Sequence, residues 1–183
     1  MDKKYQKGFT LLETLVAISI LMLVIAAPLE LAVKSIGYTS VSQNQIIAYY
    51  LAQEGMEFVN AKIKSNEIQE KNWLNDLARV AADPCRSPNY CYINIFNDIV
   101  SQCSLGVCPN FKHDESLDFP YNYDAGNNTS FARSITIRIQ NDDGESINPL
   151  EPGDARKITV SVSWAEKAGT KSIVLEENIF KAP

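Results

Sequence analysis

From Phe9 to Ala27 the chain reads FTLLETLVAISILMLVIAA, with Glu13 as its only ionisable side chain. At about 1.5 Å per helical residue this run covers roughly the 30 Å of a bilayer's hydrocarbon core. It is long enough to span once. Lys3, Lys4 and Lys7 stand immediately before it against Asp2 alone. By the positive-inside rule the N-terminus stays cytoplasmic and everything after Pro28 faces outward. The rest of the chain is then more acidic than the overall formal net charge of −5. Such a balance argues against sequence-independent binding to phosphate backbones, and no nucleic-acid partner is expected.

Glu13 needs an explanation, because an unpaired carboxylate in hydrocarbon costs about 2.5 to 3.5 kcal/mol even on the lenient insertion scale. One reading is local. TLLE (Thr10 to Glu13) fits a capping box, and a helix's first turn favours negative charge. A second reading is a cleaved secretory signal ending near IAA (Ile25 to Ala27). Pro28 would then directly follow the cut, and the acid would have no role.

The string KGFTLLETLVAISIL resembles the leader and N-terminal helix of type IV prepilins and pseudopilins: a basic leader, Gly8 before the cut, Phe9 as the new terminus, then a hydroxyl, aliphatics and an acid. The resemblance implies that a prepilin peptidase cuts between Gly8 and Phe9 and methylates the new amine. It also implies that Glu13 meets the terminal amine of a neighbouring subunit in a filament. An uncompensated charge in low dielectric is costly enough for that pairing to fix the register between subunits.

Past Pro28 the sequence stays compatible with helix to about Asn66. Ile36, Ile47, Leu51, Gly55, Phe58, Val59 and Ile63 recur at spacings near three and four, with polar residues such as Glu54 and Lys62 between. A rod from Phe9 to Asn66 would be roughly 85 Å long, bent or locally opened at Pro28 and Gly37. AYYLAQEGMEFV (Ala48 to Val59) is similar to the helix of minor pseudopilins of the PilV and GspI kind, and the end of the chain, Ile158 to Phe180, is similar to the end of the same subunits.

Between Glu67 and Ser130 the pattern is irregular. NWLNDLARVA (Asn72 to Ala81) predicts a short helix with Trp73, Leu74, Leu77 and Val80 on one side, DPCRSPNYC is rich in turn formers, and YINIF (Tyr92 to Phe96) suggests a short strand. All four cysteines fall here, at Cys85, Cys91, Cys103 and Cys108. Outside the membrane they suggest two disulfides. Three connectivities are open, the sequential one closing the shortest loops. A tetrathiolate zinc site is the rival, although the gaps of five, eleven and four residues lack the tight two-residue spacing of zinc knuckles.

After Ser130 the period changes to two. FARSITIRIQ places Phe131, Ile135, Ile137 and Ile139 on one face, RKITVSVSWA does the same for Ile158, Val160, Val162 and Trp164, and KSIVLEENIF is apolar on parts of both faces. The expected fold is α+β. A long, partly transmembrane N-terminal helix packs on a C-terminal antiparallel sheet of about three or four strands. The segments are a leader (1–8), the membrane half of the helix (9–28), its amphipathic half (29–66), an irregular cysteine-containing region (67–130) and the sheet (131–183).

Catalytic chemistry finds little support. His113, in KHDES, is the only histidine, and no nucleophile elbow or phosphate loop occurs. NNTS (Asn127 to Ser130) contains overlapping glycosylation sequons. Asp142, Asp143, Glu145 and Asp154 are weak calcium candidates in the loop NDDGESINPLEPGD, whose spacing differs from an EF-hand; the resemblance adds that major pseudopilins carry a calcium loop in a comparable region. No cofactor and no enzyme activity are expected. The sequence points to a structural minor subunit of a type IV pilus-like filament or type II secretion pseudopilus, stored in the inner membrane. Its partners would be other pilin or pseudopilin subunits, the prepilin peptidase, a membrane assembly platform and lipid. The alternative is a single-pass anchored binding domain outside any filament.

Overall fold

Helix α1 (Leu11–Ile68) starts on a Thr10 cap: the Thr10 carbonyl accepts from the amides of Glu13 and Thr14 at 3.0 and 3.2 Å, and its hydroxyl accepts from the Glu13 amide at 3.3 Å. The computed structural model describes residues 10–140, 155–167 and 169–180. Gly8 and Phe9, and the calcium candidates Asp142, Asp143, Glu145 and Asp154, lie outside the described residues. The chain divides into two compact units, Met1–Gln43 and Asn44–Pro183.

In the first unit α1 exposes its aliphatic side chains on every side, among them Leu11, Leu15, Ile18, Met22, Ile25 and Leu29. A helix apolar all round belongs in lipid or inside an assembly. Its hydroxyls are satisfied within the helix: Thr14 donates to the Leu11 carbonyl and Ser19 to the Leu15 carbonyl, each at 2.8 Å. Internal pairing of this kind is what hydrocarbon requires. The helix continues through Pro28 and Gly37, although Pro28 has no amide to offer the Val24 carbonyl.

In the second unit α1 becomes amphipathic. Ala48, Leu51, Ala52, Gly55, Met56, Val59, Ile63 and Asn66 form the buried stripe, with Ile47 and Phe58 at its margins. Ile36, expected on this stripe, is 73% exposed. The two alanines and Gly55 keep the stripe flat, so the helix lies close to the sheet. Its last carbonyls are closed by Glu70 N to Glu67 O at 3.0 Å and Lys71 N to Asn66 O at 2.9 Å, around Glu70 in a left-handed conformation (φ 56).

The helix expected over residues 72–81 is a string of turns. Asp76 is left-handed (φ 62), and the buried Asn66 side chain donates to the carbonyls of Trp73 and Asn75 at 3.2 and 2.9 Å, so both compete with regular helix. Trp73, Leu74 and Leu77 still reach the core, but Val80 is exposed.

Among the described residues the sheet has seven strands rather than three or four: β1 (Cys91–Asn94), β2 (Ile99–Gln102), β3 (Asn110–His113), β4 (Tyr121–Asn122), β5 (Asn127–Gln140), β6 (Ala155–Glu166) and β7 (Gly169–Phe180). The expected meander is β5–β6–β7, antiparallel throughout. On its other side β5 pairs with both β1 and β3, which bring in β2 and β4. YINIF is strand only to Asn94. There the Asn94 side chain accepts from the Phe96 amide at 3.2 Å and opens a 3-10 turn, Ile95–Asn97. The core lies between α1 and the inner faces of β5 and β6, where Phe131, Ile135 and Ile137 meet Ile158, Val160, Val162 and Trp164.

Candidate functional site

Two constellations stand out, one in each unit. In the first, Glu13 lies in the opening turn of a helix that offers it no cation: after Lys7 the next basic residue is Lys34, about 30 Å further along the helix. The capping reading is only half met. Thr10 receives the Glu13 amide, but among the described residues no bond returns from the Thr10 amide to the Glu13 carboxylate. Among the described residues that carboxylate has no hydrogen bond or ion pair.

The second constellation joins α1 to the sheet. Arg133 is on the inward face of β5 between Phe131 and Ile135, and it is fully buried. Its Nη1 donates to Glu54 Oε2 at 2.8 Å and to the Leu51 carbonyl at 2.9 Å; its Nη2 donates to the Ile93 carbonyl at 3.0 Å. The guanidinium also sits 5.0 Å from the centre of the Phe111 ring. One side chain thus links helix, β1, β3 and β5. Gly55 makes room for it: a Cβ there would lie 2.9 Å from Arg133 Cδ and 3.2 Å from Val160 Cγ1. Beside the pair, burial pushes the Tyr123 phenol up to about 12, against the lowering effect of the Arg133 charge. Tyr123 therefore stays neutral at any ordinary pH.

A similar tie holds the start of the amphipathic segment. Asn44 Nδ2 and Trp164 Nε1 both donate to Glu166 Oε1 at 2.9 Å. These two hydrogen bonds, that from Asn44 first, hold the Glu166 carboxyl below the usual glutamate range. The Asn44–Glu166 and Glu54–Arg133 contacts both tie α1 to the sheet.

The cysteines pair as Cys85 with Cys91 and Cys103 with Cys108. The first pair is wholly buried and sits where Cys85 exchanges backbone bonds with Leu77 and Ile137. His113 is half-buried with its ring 4.8 Å from that of Tyr121, so it is a packed side chain of β3. Among the described residues no three His, Cys, Asp or Glu side chains converge to hold a metal.

The Arg133–Glu54 pair escaped sequence reasoning, yet a signal was present. An arginine occupies an inward position of the β5 alternation, and its charge must be met by the element packed on that face.

Residues 3–27 match the family described as the prokaryotic N-terminal methylation motif. The match covers the basic residues from Lys3 and the apolar run, and supports a type IV pilin-like protein. With the apolar helix it fits a single-pass membrane protein. No curated protein and no solved structure matches the chain.

Proposed function

We propose that this chain is a minor subunit of a type IV pilus-like filament or a type II secretion pseudopilus, of the PilV and GspI kind. It is held in the inner membrane by α1 until it is added to the filament. One observation carries the reading: residues 3–27 match the methylation motif, and within them Glu13 lies in the first turn of a helix whose apolar side chains are exposed. A prepilin peptidase would cut after Gly8 and methylate Phe9. The new ammonium supplies the cation that Glu13 lacks, and a neighbouring subunit's ammonium does so inside a filament. In low dielectric this charge pair is worth several kcal/mol over an unpaired acid, enough to select one axial register. The role is structural, with other subunits and a membrane platform as partners, and Pro28 and Gly37 are the places where the rod would bend.

Glu13→Gln and Glu13→Ala test this. Both variants should fractionate with membranes and keep a folded outer domain, yet be missing from filaments sheared off cells that also express the other subunits. Glutamine retains the capping geometry and lacks the charge, so normal incorporation of Glu13→Gln would refute the pairing role.

A further inference from the structure

Of the sheet's edges, β2 has four residues and β4 two, whereas β7 has twelve. Among the described residues β7 pairs only with β6, in unbroken register from Glu166↔Gly169 to Ala155↔Phe180. The other side of β7 is therefore a backbone edge about 40 Å long, on which alternate residues present unpaired N–H and C=O groups. Edges are usually guarded by proline, by a bulge or by charges set against pairing. This one has no proline and no bulge. Its one lysine, Lys171, lies two residues from Gly169 at the hairpin end, away from Leu175 and Glu177, and its two acids are already engaged: Glu176 with Lys157 of β6 at 2.8 Å, and Glu177 with Asn60 Nδ2 at 2.9 Å.

Alongside that edge runs an open groove of about 400 Å³. Tyr49, Gln53, Met56 and Glu57 of α1 form one wall, and Leu175 and Glu177 of β7 the other. The floor near Met56 and Leu175 is apolar. The end near Glu57 and Glu177 is acidic, no lysine or arginine lines the groove, and Glu57 makes no ion pair among the described residues. On the opposite face of β7, Val174 and Phe180 are 52% and 66% exposed, ready to serve as cross-strand neighbours.

We propose that β7 accepts an extended segment of another protein as an eighth strand. The side chains of that segment facing α1 would place an aliphatic residue beside Leu175 and, two positions on, a lysine or arginine between Glu57 and Glu177. Main-chain bonds give the affinity and the two inward side chains the selectivity, as in other cases of strand addition. The acidic groove specifies the charge of the occupant. The proposal stands apart from filament assembly, since it needs only the outer unit.

The probe is the peptide acetyl-Thr-Val-Thr-Leu-Thr-Lys-Thr-Val-Thr-amide, added to the full chain in detergent, with hydrogen exchange read by mass spectrometry. Exchange across Gly169–Phe180 should slow by roughly tenfold at saturation. Glu57→Lys should weaken binding by about fivefold to tenfold, and a peptide with glutamate in place of its lysine should bind that variant better than it binds the original chain. The same peptide N-methylated along its bonding edge should give no protection. Protection equal for the charge-reversed or N-methylated peptides, or none within β7, would overturn the proposal. So would a β7 edge already protected without peptide, which would mean that a second copy or residues 141–154 occupy it.

Discussion

Glu54→Gln is the sharpest perturbation of the second unit, because it keeps the side chain's shape and removes the counter-charge of a buried cation. Arg133 would keep two backbone carbonyls and the Phe111 ring at zero exposure, with at most a neutral amide oxygen in place of the carboxylate that balances its charge. Breaking a buried ion pair from one side costs about 3 to 5 kcal/mol. The Glu54 side chain is 32% exposed, so water screens the pair and the expected loss is about 2 to 3 kcal/mol. Arg133→Met removes the charge and keeps most of the stem, at a cost of about 1 to 2 kcal/mol. In that background Glu54→Gln should cost under about 0.5 kcal/mol, since its partner is gone. Trp73 and Trp164, 6% and 4% exposed, report unfolding by fluorescence in the detergent-solubilised chain. Glu54→Gln alone should lower Tm by roughly 6 to 10 °C. A drop under about 2 °C, or an equal drop with and without Arg133, would refute the claim that this pair clamps helix to sheet.

Gly55→Ala should destabilise by about 1 kcal/mol, because the clash with Arg133 and Val160 exceeds the helix propensity gained; Gly37→Ala meets nothing within 4 Å and should raise helicity by circular dichroism. Glu166 has a lowered folded pKa, so its contribution is complete above the ordinary value of 4.5 and is lost as pH falls through the lowered one. Glu166→Gln should therefore flatten the acid limb of a Tm-against-pH curve below about pH 4.5. Replacing both Cys85 and Cys91 by alanine opens a short loop and should cost about 2 kcal/mol by denaturant melt.

The long helix and the β5–β6–β7 meander were legible because each repeats a period over many residues. Ile158, Val160, Val162 and Trp164 alternate without interruption, and Leu51, Val59 and Ile63 keep helical spacing. The four added strands were not. β1 to β4 have two to four residues each, too few to show a period, and β1 and β3 join the sheet through partners in β5. NWLNDLARVA has helical spacing, yet Asn66, six residues before its start, takes the carbonyls of Trp73 and Asn75. The methylation motif over residues 3–27 was readable since its signature is local. Arg133 and Glu54, 79 residues apart, had nothing local to join them.

Intact-mass analysis of the mature protein from membranes, with fragmentation of its first residues, addresses the central claim. The account predicts a chain that has lost Met1 to Gly8, begins at Phe9 and carries one added methyl group on that amine. A chain still beginning at Met1, with no ammonium at Phe9 for Glu13 to meet, or one beginning near Pro28, from which Glu13 itself would be gone, would contradict it.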